Sequence, residues 1–165
     1  MWVEFDNISD SARIWVFGTS ECLSQNEKVD AEEFLKDFVE NWTSHDNSLL
    51  GSFQVLHSRF IVLAIDETHK AASGCSIDKS VRAITELGAK IQKDFTNKAL
   101  VYIQNQTEIQ VIKLQEINNA ISEGVLEENT AIFDLLIHQK SQLATEFVKP
   151  AKETWLKRYF SKVNQ

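Results

Sequence analysis

The sequence contains few of the residues that break or cross-link a chain: its 165 residues include one proline, five glycines and two cysteines. So little proline and glycine excludes a collagen-like chain and a low-complexity one. The two cysteines, Cys22 and Cys75, cannot form the framework of a small disulfide-rich secreted domain. Neither a Cys-x-x-Cys nor a His-Glu-x-x-His spacing occurs, so the sequence predicts no metal site and no cofactor.

Signals for export and for membrane insertion are also missing. Residues 1–6 carry acids where a signal peptide has a basic region followed by an apolar one. The longest apolar run, residues 60–65, has the length of a strand and is far short of the ~18 residues of a membrane-spanning helix. These absences, together with both thiols free, predict a cytoplasmic protein that does not insert into membranes.

The charged residues are predominantly acidic. Lys and Arg number 17 against 24 for Asp and Glu, which gives a formal net charge of −7. Nucleic-acid binding relies on clustered basic side chains, so this balance argues against a nucleic-acid partner. A hydrophobic content of 43% at this length predicts one folded domain that covers residues 1–165.

Hydrophobic periodicity predicts strands that alternate with helices. Strands are expected at residues 13–17, 52–57, 59–66, 99–103 and 107–114; helices are expected at about 27–42, 77–95 and 115–123, with a last amphipathic helix that Pro150 starts or kinks. Residues 130–137 fit a strand or a helix. The order of elements predicts an α+β domain, with a largely antiparallel sheet of about five strands and helices packed on one face. The strand at 59–66 is apolar on both faces and is expected in the centre of the sheet.

The second predicted helix has an expected start and an expected apolar face. Ser76 is the expected N-cap, and Asp78 complements the helix dipole in the first turn. The expected stripe consists of Ile77, Val81, Ile84, Ile91 and Phe95, with Gly88 at the stripe position that lacks a side chain.

Residues 61–67 match the apolar strand and Asp-Glu pair of a Walker B motif, in which Asp66 would hold Mg²⁺ and Glu67 would orient water. The nearest candidate for the accompanying P-loop begins at Gly74 and reaches Lys79 with four residues between them, one fewer than the motif requires. Asp78 stands where the P-loop has its last glycine, and its charge opposes a phosphate. The sequence therefore disfavours ATP hydrolysis.

The loop that runs into the second helix, residues 73–78, is another candidate site. Backbone N–H groups at a helix start attract anions and favour a thiolate, which makes Cys75 a candidate nucleophile. The candidate bases are His45, His57 and His69, and the candidate orienting carboxylate is Asp66.

The same loop has a purely structural interpretation, which the sequence favours. Gly74 would give backbone freedom, Cys75 would pack as a small hydrophobic residue, and Ser76 with Asp78 would cap the helix. Free cysteine is among the residue types most often buried.

Three stretches of the chain carry a resemblance to a known family. They are residues 14–16, residues 60–67 followed by 72–81, and residues 130–134, and the Ser-Gly-Cys-Ser-Ile-Asp core at 73–78 is the most specific part. Together they resemble a family of small bacterial proteins that are often labelled ABC transporter ATPases. The chain lacks the Leu-Ser-Gly-Gly-Gln signature of such ATPases, so the resemblance implies no reaction. It directs attention to Cys75, Ser76, Asp78, Asp66 and His45.

The leading hypothesis from the sequence is a non-enzymatic cytoplasmic binding or interaction protein. Its site would lie at the end of the central strand and at the start of the second helix. The ligand-binding candidates are Glu67, Gly74, Cys75, Ser76 and Asp78. The expected partner is another protein or a small anionic ligand.

Two alternatives stay open. One is a Cys75-dependent or anion-binding enzyme, in which His45 and Asp66 assist the thiol. The other is a homo-oligomer that pairs through the strand at 107–114 or through the C-terminal aromatic residues.

Overall fold

The computed structural model of the chain describes residues 1–163, which form an α+β fold with antiparallel sheets, as the sequence predicts. These residues are organised as two compact units. The first unit comprises Met1–Asn97 and Leu135–Leu143, and the second comprises Lys98–Asp134 and the chain from Ala144 onward. A domain is defined by its capacity to fold alone, so one domain over residues 1–165 stays a prediction.

The first unit contains a three-stranded sheet, a small hairpin and two long helices. Its strands are β1 (Arg13–Gly18), β2 (Thr43–Ser44), β3 (Asn47–Ser48), β4 (Leu50–Leu56) and β5 (Phe60–Asp66), and its helices are α1 (Gln25–Glu40) and α2 (Gly74–Ile91). The sheet has the order β1-β5-β4 with both pairs antiparallel, and β2 pairs with β3 as a separate hairpin.

Strand β5 is the centre of this sheet, as its composition predicts. Its six apolar side chains, residues 60–65, have no accessible surface. One face of the strand, formed by Ile61, Leu63 and Ile65, packs in a core cluster with buried side chains of α1 and α2. A strand buried on both faces needs a continuous apolar run rather than an alternating one.

Helix α1 begins with a capping box. The hydroxyl of Ser24 accepts a hydrogen bond from the Glu27 amide at 3.1 Å, and the Glu27 carboxylate accepts one from the Ser24 amide at 3.2 Å. Its buried stripe consists of Ala31, Leu35 and Val39, at the three- and four-residue spacing of an amphipathic helix.

Helix α2 differs from the prediction in its start and in the first turns of its buried face, whereas Ile84, Gly88 and Ile91 are buried as predicted. It begins at Gly74, and Ser73 rather than Ser76 is its N-cap. The buried stripe consists of Ser76, Ser80, Ala83, Ile84, Leu87, Gly88 and Ile91. Val81, expected in the stripe, is 44% exposed. The first turns rotate in this way because the indole N–H of Trp42 donates to the Ser76 carbonyl at 2.8 Å, which draws the small serine face towards the core.

The second unit contains a four-stranded antiparallel sheet of order β7-β6-β8-β9. Its strands are β6 (Leu100–Asn105), β7 (Glu108–Lys113), β8 (Ala131–Phe133) and β9 (Val148–Pro150), and its helices are α3 (Ile117–Ser122) and α5 (Lys157–Val163). A four-residue helix, α4 (Gln142–Thr145), lies in the chain between β8 and β9. The strands are thus divided among two larger sheets and the separate β2–β3 hairpin. The ambiguous segment at 130–137 contains a short strand, β8.

The C-terminal part of the second unit corrects one expectation. Pro150 ends strand β9 and neither starts nor kinks the last helix, which begins at Lys157. Leu156 and Phe160 are buried in a core cluster with side chains of β6, β7 and α3. Among residues 1–163, no helix is both long and apolar enough to cross a bilayer.

Candidate functional site

Three pieces of the first unit meet where β5 ends. Asp66, the last residue of β5, pairs with Leu50 of β4. The Leu49 amide donates to the Trp42 carbonyl at 3.0 Å, which places the β2–β3 hairpin beside this end of the sheet. The Trp42 indole in turn holds the start of α2 through the Ser76 carbonyl. The structure therefore brings together the strand end, the hairpin and the helix start.

The two carboxylates at the end of β5 hold the following loop in shape. Asp66 accepts hydrogen bonds from the hydroxyl and the amide of Thr68. These bonds, the hydroxyl first and the amide second, lower the pKa of the Asp66 carboxyl. Glu67 accepts a hydrogen bond from the Ala72 amide at 2.9 Å, and one of its oxygens lies 3.6 Å from an Arg13 guanidinium nitrogen. Both acids are engaged within the chain.

Ser76, one of the predicted ligand-binding residues, is fully buried and serves the capping box of α2. Its hydroxyl accepts from the Ser73 amide at 2.6 Å and donates to the Ser73 carbonyl at 2.8 Å. The Ser73 hydroxyl accepts from the Ser76 amide at 3.2 Å. Ser76 therefore fixes the helix start, and its side chain lies away from solvent.

The neighbouring residues Gly74, Cys75 and Asp78 lie at the surface, and Cys75 is exposed. The expectation that Cys75 packs as a small hydrophobic residue is therefore wrong. Apart from its chain neighbours and its own helix, no heavy atom lies within 4 Å of the place where a side chain on Gly74 would begin. Within residues 1–163, no protein group accepts the amide hydrogens of Gly74 and Cys75. Such free N–H groups at the positive end of a helix attract an anion.

The hairpin brings His45 to the same end of the unit. His45 and Asp46 have positive φ angles of 49° and 63°, which produce the tight turn between β2 and β3. The Lys79 ammonium of α2 donates to the Thr43 hydroxyl at 3.0 Å and ties the helix to the hairpin. Lys79 thus brings a positive charge close to the helix start.

His57 lies at the opposite end of the sheet. It occupies the turn between β4 and β5, before Phe60, whereas Asp66 ends β5. A strand of seven residues separates the two positions by about 20 Å. His57 is therefore out of reach as a partner for Asp66, and His69 lies exposed in the loop after β5.

The residues brought together at this end of the unit do not form a catalytic arrangement around Cys75 in the described chain. In the described chain, no hydrogen bond or ion pair joins the Cys75 sulfur to a histidine or a carboxylate, and no group of three or more His, Cys, Asp and Glu side chains is arranged to hold a metal ion. The arrangement can hold an anion at the helix start, with a lysine at its side. Sequence reasoning missed Thr43 and the role of Lys79, because their contact joins residues 36 positions apart.

Comparisons with protein-family models, with curated proteins and with solved structures gave no match for this chain. The resemblance to the small bacterial family stays a prediction.

Proposed function

We propose that the protein is a non-enzymatic binding protein that holds an anionic group of its partner, a carboxylate or a phosphate, at the first turn of α2. The observation that carries the proposal is the exposed helix start, with two amide donors free in the described chain and open space above Gly74. The Lys79 ammonium adds a positive charge beside this start. The nearby acids Asp66 and Glu67 are engaged with Thr68, Ala72 and Arg13.

The energetics favour an anionic group that is part of a larger partner. A helix N-terminus contributes about 0.3–1 kcal/mol to a surface charge. The net charge of −7 gives no long-range attraction for a free anion. The remaining affinity would come from contacts of the partner with the exposed hairpin, because Asp78 disfavours a second negative charge at the helix start.

The test removes one donor and leaves the helix intact. Gly74→Pro eliminates the amide hydrogen at the first helical position, where proline is well tolerated. Ser73 already has extended backbone angles that suit a residue before proline. Gly74→Ala is the matched control, because it keeps the amide and its side chain enters open space.

Amide NMR with inorganic phosphate and, separately, with acetate as probes measures the outcome. We expect weak binding, with shifts at Gly74 and Cys75 in the parent and in Gly74→Ala that rise with probe concentration. The Cys75 shift should be about two- to fivefold smaller in Gly74→Pro, because the whole helix start contributes only about 0.3–1 kcal/mol. No shift at either residue, or equal Cys75 shifts in both variants, would refute the anion site.

The second candidate is a Cys75-dependent enzyme, and the exposure of Cys75 at the same end of the unit as His45 favours it. Cys75 would be the nucleophile, His45 the base and Asp66 the orienting carboxylate. The pH dependence of Cys75 alkylation in folded Cys22→Ser protein tests it. A thiol that reacts no faster than a free cysteine at neutral pH would remove this candidate.

We infer a cytoplasmic location from the two free thiols, which suit a reducing compartment. Self-association through β7 also stays a proposal, because β7 is an edge strand of its sheet. Light scattering tests it, and a monomer at high concentration would exclude it.

A further inference from the structure

The turn that precedes β5 contains a buried arginine with an unusual set of partners. Arg59 is 6% exposed. One of its terminal nitrogens donates to the Thr19 carbonyl at 2.9 Å and to the Ser20 carbonyl at 2.6 Å. The other donates to the sulfur of Cys22 at 3.1 Å.

No carboxylate of the described residues balances this guanidinium. Within residues 1–163, no Asp or Glu lies at ion-pair distance from Arg59, and its Nε is buried without an acceptor. A buried charge is normally paired with an opposite one, because its transfer out of water is costly. Among the groups that accept from Arg59, only the Cys22 sulfur can acquire a full negative charge.

The backbone around the pair fixes its geometry. The Leu23 amide donates to the Ser58 carbonyl at 2.7 Å, and the Thr19 amide donates to the Arg59 carbonyl at 3.3 Å. The segment that carries Cys22 is thereby bonded to the turn that carries Arg59. Cys22 itself is an exposed residue.

The other charged groups nearby leave the sulfur favourably placed. Glu21, next to Cys22 in the chain, has an oxygen 3.5 Å from the Lys93 ammonium. Lys93 also pairs with Glu27 at 3.0 Å. His57 lies in the same turn as Arg59. The adjacent acid is thus partly neutralised, and the unbalanced charge in contact with the sulfur is positive.

We propose that Cys22 is the reactive thiol of this protein and a site of covalent modification by soft electrophiles and by peroxide. The thiol gives its proton to solvent, and the Arg59 guanidinium hydrogen-bonds the thiolate. With hydrogen peroxide, the thiolate attacks one oxygen, an S–O bond forms, and the O–O bond breaks with loss of hydroxide. The sulfur is oxidised to sulfenic acid and the peroxide is reduced to water and the sulfenic oxygen.

The chain supplies its own control, because Cys75 is also exposed and its sulfur has no arginine contact among the described residues. The experiment compares Cys75→Ser, which retains Cys22, with Cys22→Ser, which retains Cys75. Both full-length proteins are alkylated with iodoacetamide at neutral pH, folded and in urea. A second sample of each is treated with hydrogen peroxide and dimedone, which traps sulfenic acid, and is analysed by mass spectrometry.

We expect Cys22 to alkylate about tenfold or more faster than Cys75 in the folded proteins, because a direct hydrogen bond from a buried guanidinium favours a thiolate more than the exposed helix start and Lys79 do at Cys75. The two rates should become similar in urea. Dimedone should label Cys22 and leave Cys75 largely unlabelled. Equal folded-state rates, a difference that persists in urea, or labelling confined to Cys75 would overturn the proposal. Because the urea comparison needs no change at Arg59, the test does not depend on the folding of an arginine variant.

Arg59→Gln in the Cys75→Ser background adds a direct test of the guanidinium. Its thermal unfolding transition establishes that it is folded. We expect the Cys22 rate in this variant to fall to the rate of Cys75, and an unchanged rate in the folded variant would refute the role of Arg59.

Discussion

The two ends of strand β5 each carry an exposed cysteine, and the surroundings of the two thiols differ. At the Asp66 end, Cys75 lies in the first turn of α2, and its sulfur makes no hydrogen bond in the described chain. At the Phe60 end, the Cys22 sulfur contacts the buried guanidinium of Arg59 at 3.1 Å. Both cysteines are exposed but have different electrostatic surroundings, so exposure alone does not rank the reactivity of the two thiols.

Helix α2 runs between the two ends of the first unit that carry these cysteines, and its own start and end are packed differently. Its start at Gly74 is open to solvent, whereas Lys93, which follows its end, pairs with acids beside Cys22. An open helix start suits ligand binding, and a closely packed helix end suits a fixed environment for a side chain. Matched substitutions at the two ends should therefore change the free energy of unfolding by unequal amounts. The largest difference is expected between Gly74 and Gly88.

The two glycines of α2 should respond in opposite ways to alanine. A Cβ on Gly88 would lie 2.4 Å from the Lys93 carbonyl oxygen, so Gly88→Ala must displace backbone. We expect it to lower the free energy of unfolding by about 3 kcal/mol. Gly74→Ala meets open space, and we expect it to be neutral or stabilising by up to about 0.5 kcal/mol.

Urea unfolding of both variants measures these effects. Gly88→Ala should also change the surroundings of Cys22, because the displaced Lys93 no longer holds Glu21. Similar unfolding free energies for the two variants would show that the helix end is not more closely packed than its start.

Loss of a polar contact should also lower stability more at the Cys22 end than at the Cys75 end. Arg59→Gln removes the donors of the Thr19 and Ser20 carbonyls and should cost about 2 kcal/mol of stability. Lys79→Met breaks an exposed contact with Thr43 and should cost less than about 0.5 kcal/mol. Urea midpoints of the two variants test this, and a larger effect of Lys79→Met would contradict it.

The fold was largely predictable because its strongest signals are local. The continuous apolar run at 60–65 predicts a central strand, and β5 is one. Alternation of polar and apolar residues around a short turn predicts the hairpin that β6 and β7 form. The second half of the buried face of α2 was predicted correctly, since Ile84, Gly88 and Ile91 are buried. The first turns were predicted incorrectly, because Ser76 and Ser80 are buried near Trp42 and Val81 is exposed.

The candidate site was predictable in part. The residues around Asp66 and Cys75 follow one another closely in the chain, so a strand end and a helix start can be read locally. His57 and His45 look equivalent in the sequence, and only strand register assigns them to opposite ends. The contact between Cys22 and Arg59 joins residues 37 positions apart, and no local pattern indicates it.

Two buried serines near the Asp66 end differ in whether their hydroxyl groups are hydrogen-bonded, and their substitution should affect stability differently. The Ser52 hydroxyl, in β4, donates to the Val3 carbonyl at 2.7 Å, whereas the Ser44 hydroxyl, in the hairpin, is buried without a partner in the described chain. Ser52→Ala should cost about 1 kcal/mol. Ser44→Ala should be neutral or slightly stabilising, because it removes an unsatisfied polar group. Equal losses in urea unfolding would mean that the Ser44 hydroxyl is satisfied in solution.

The smallest expected effect is on the pH dependence of stability. Asp66, before α2, and Asp94, after it, each have a pKa that is lowered by hydrogen bonds from a threonine two residues later, Thr68 and Thr96. The Thr68 hydroxyl is the largest cause for Asp66 and the Thr68 amide the second, whereas for Asp94 the Thr96 amide comes first and the Thr96 hydroxyl second. A carboxyl whose pKa is lower in the folded state stabilises the fold above its unfolded value of about 3.9. This contribution is lost as the pH falls through the folded value.

Replacing each threonine by valine separates the hydroxyl from the amide at the two ends. The loss of unfolding free energy between pH 7 and acidic pH, measured in urea, should shrink in both variants. It should shrink more in Thr68→Val than in Thr96→Val, because only at Asp66 does the hydroxyl contribute most. A larger change in Thr96→Val would show that the turn at Asp66, which shapes the loop before Cys75, is held mainly by its backbone amide.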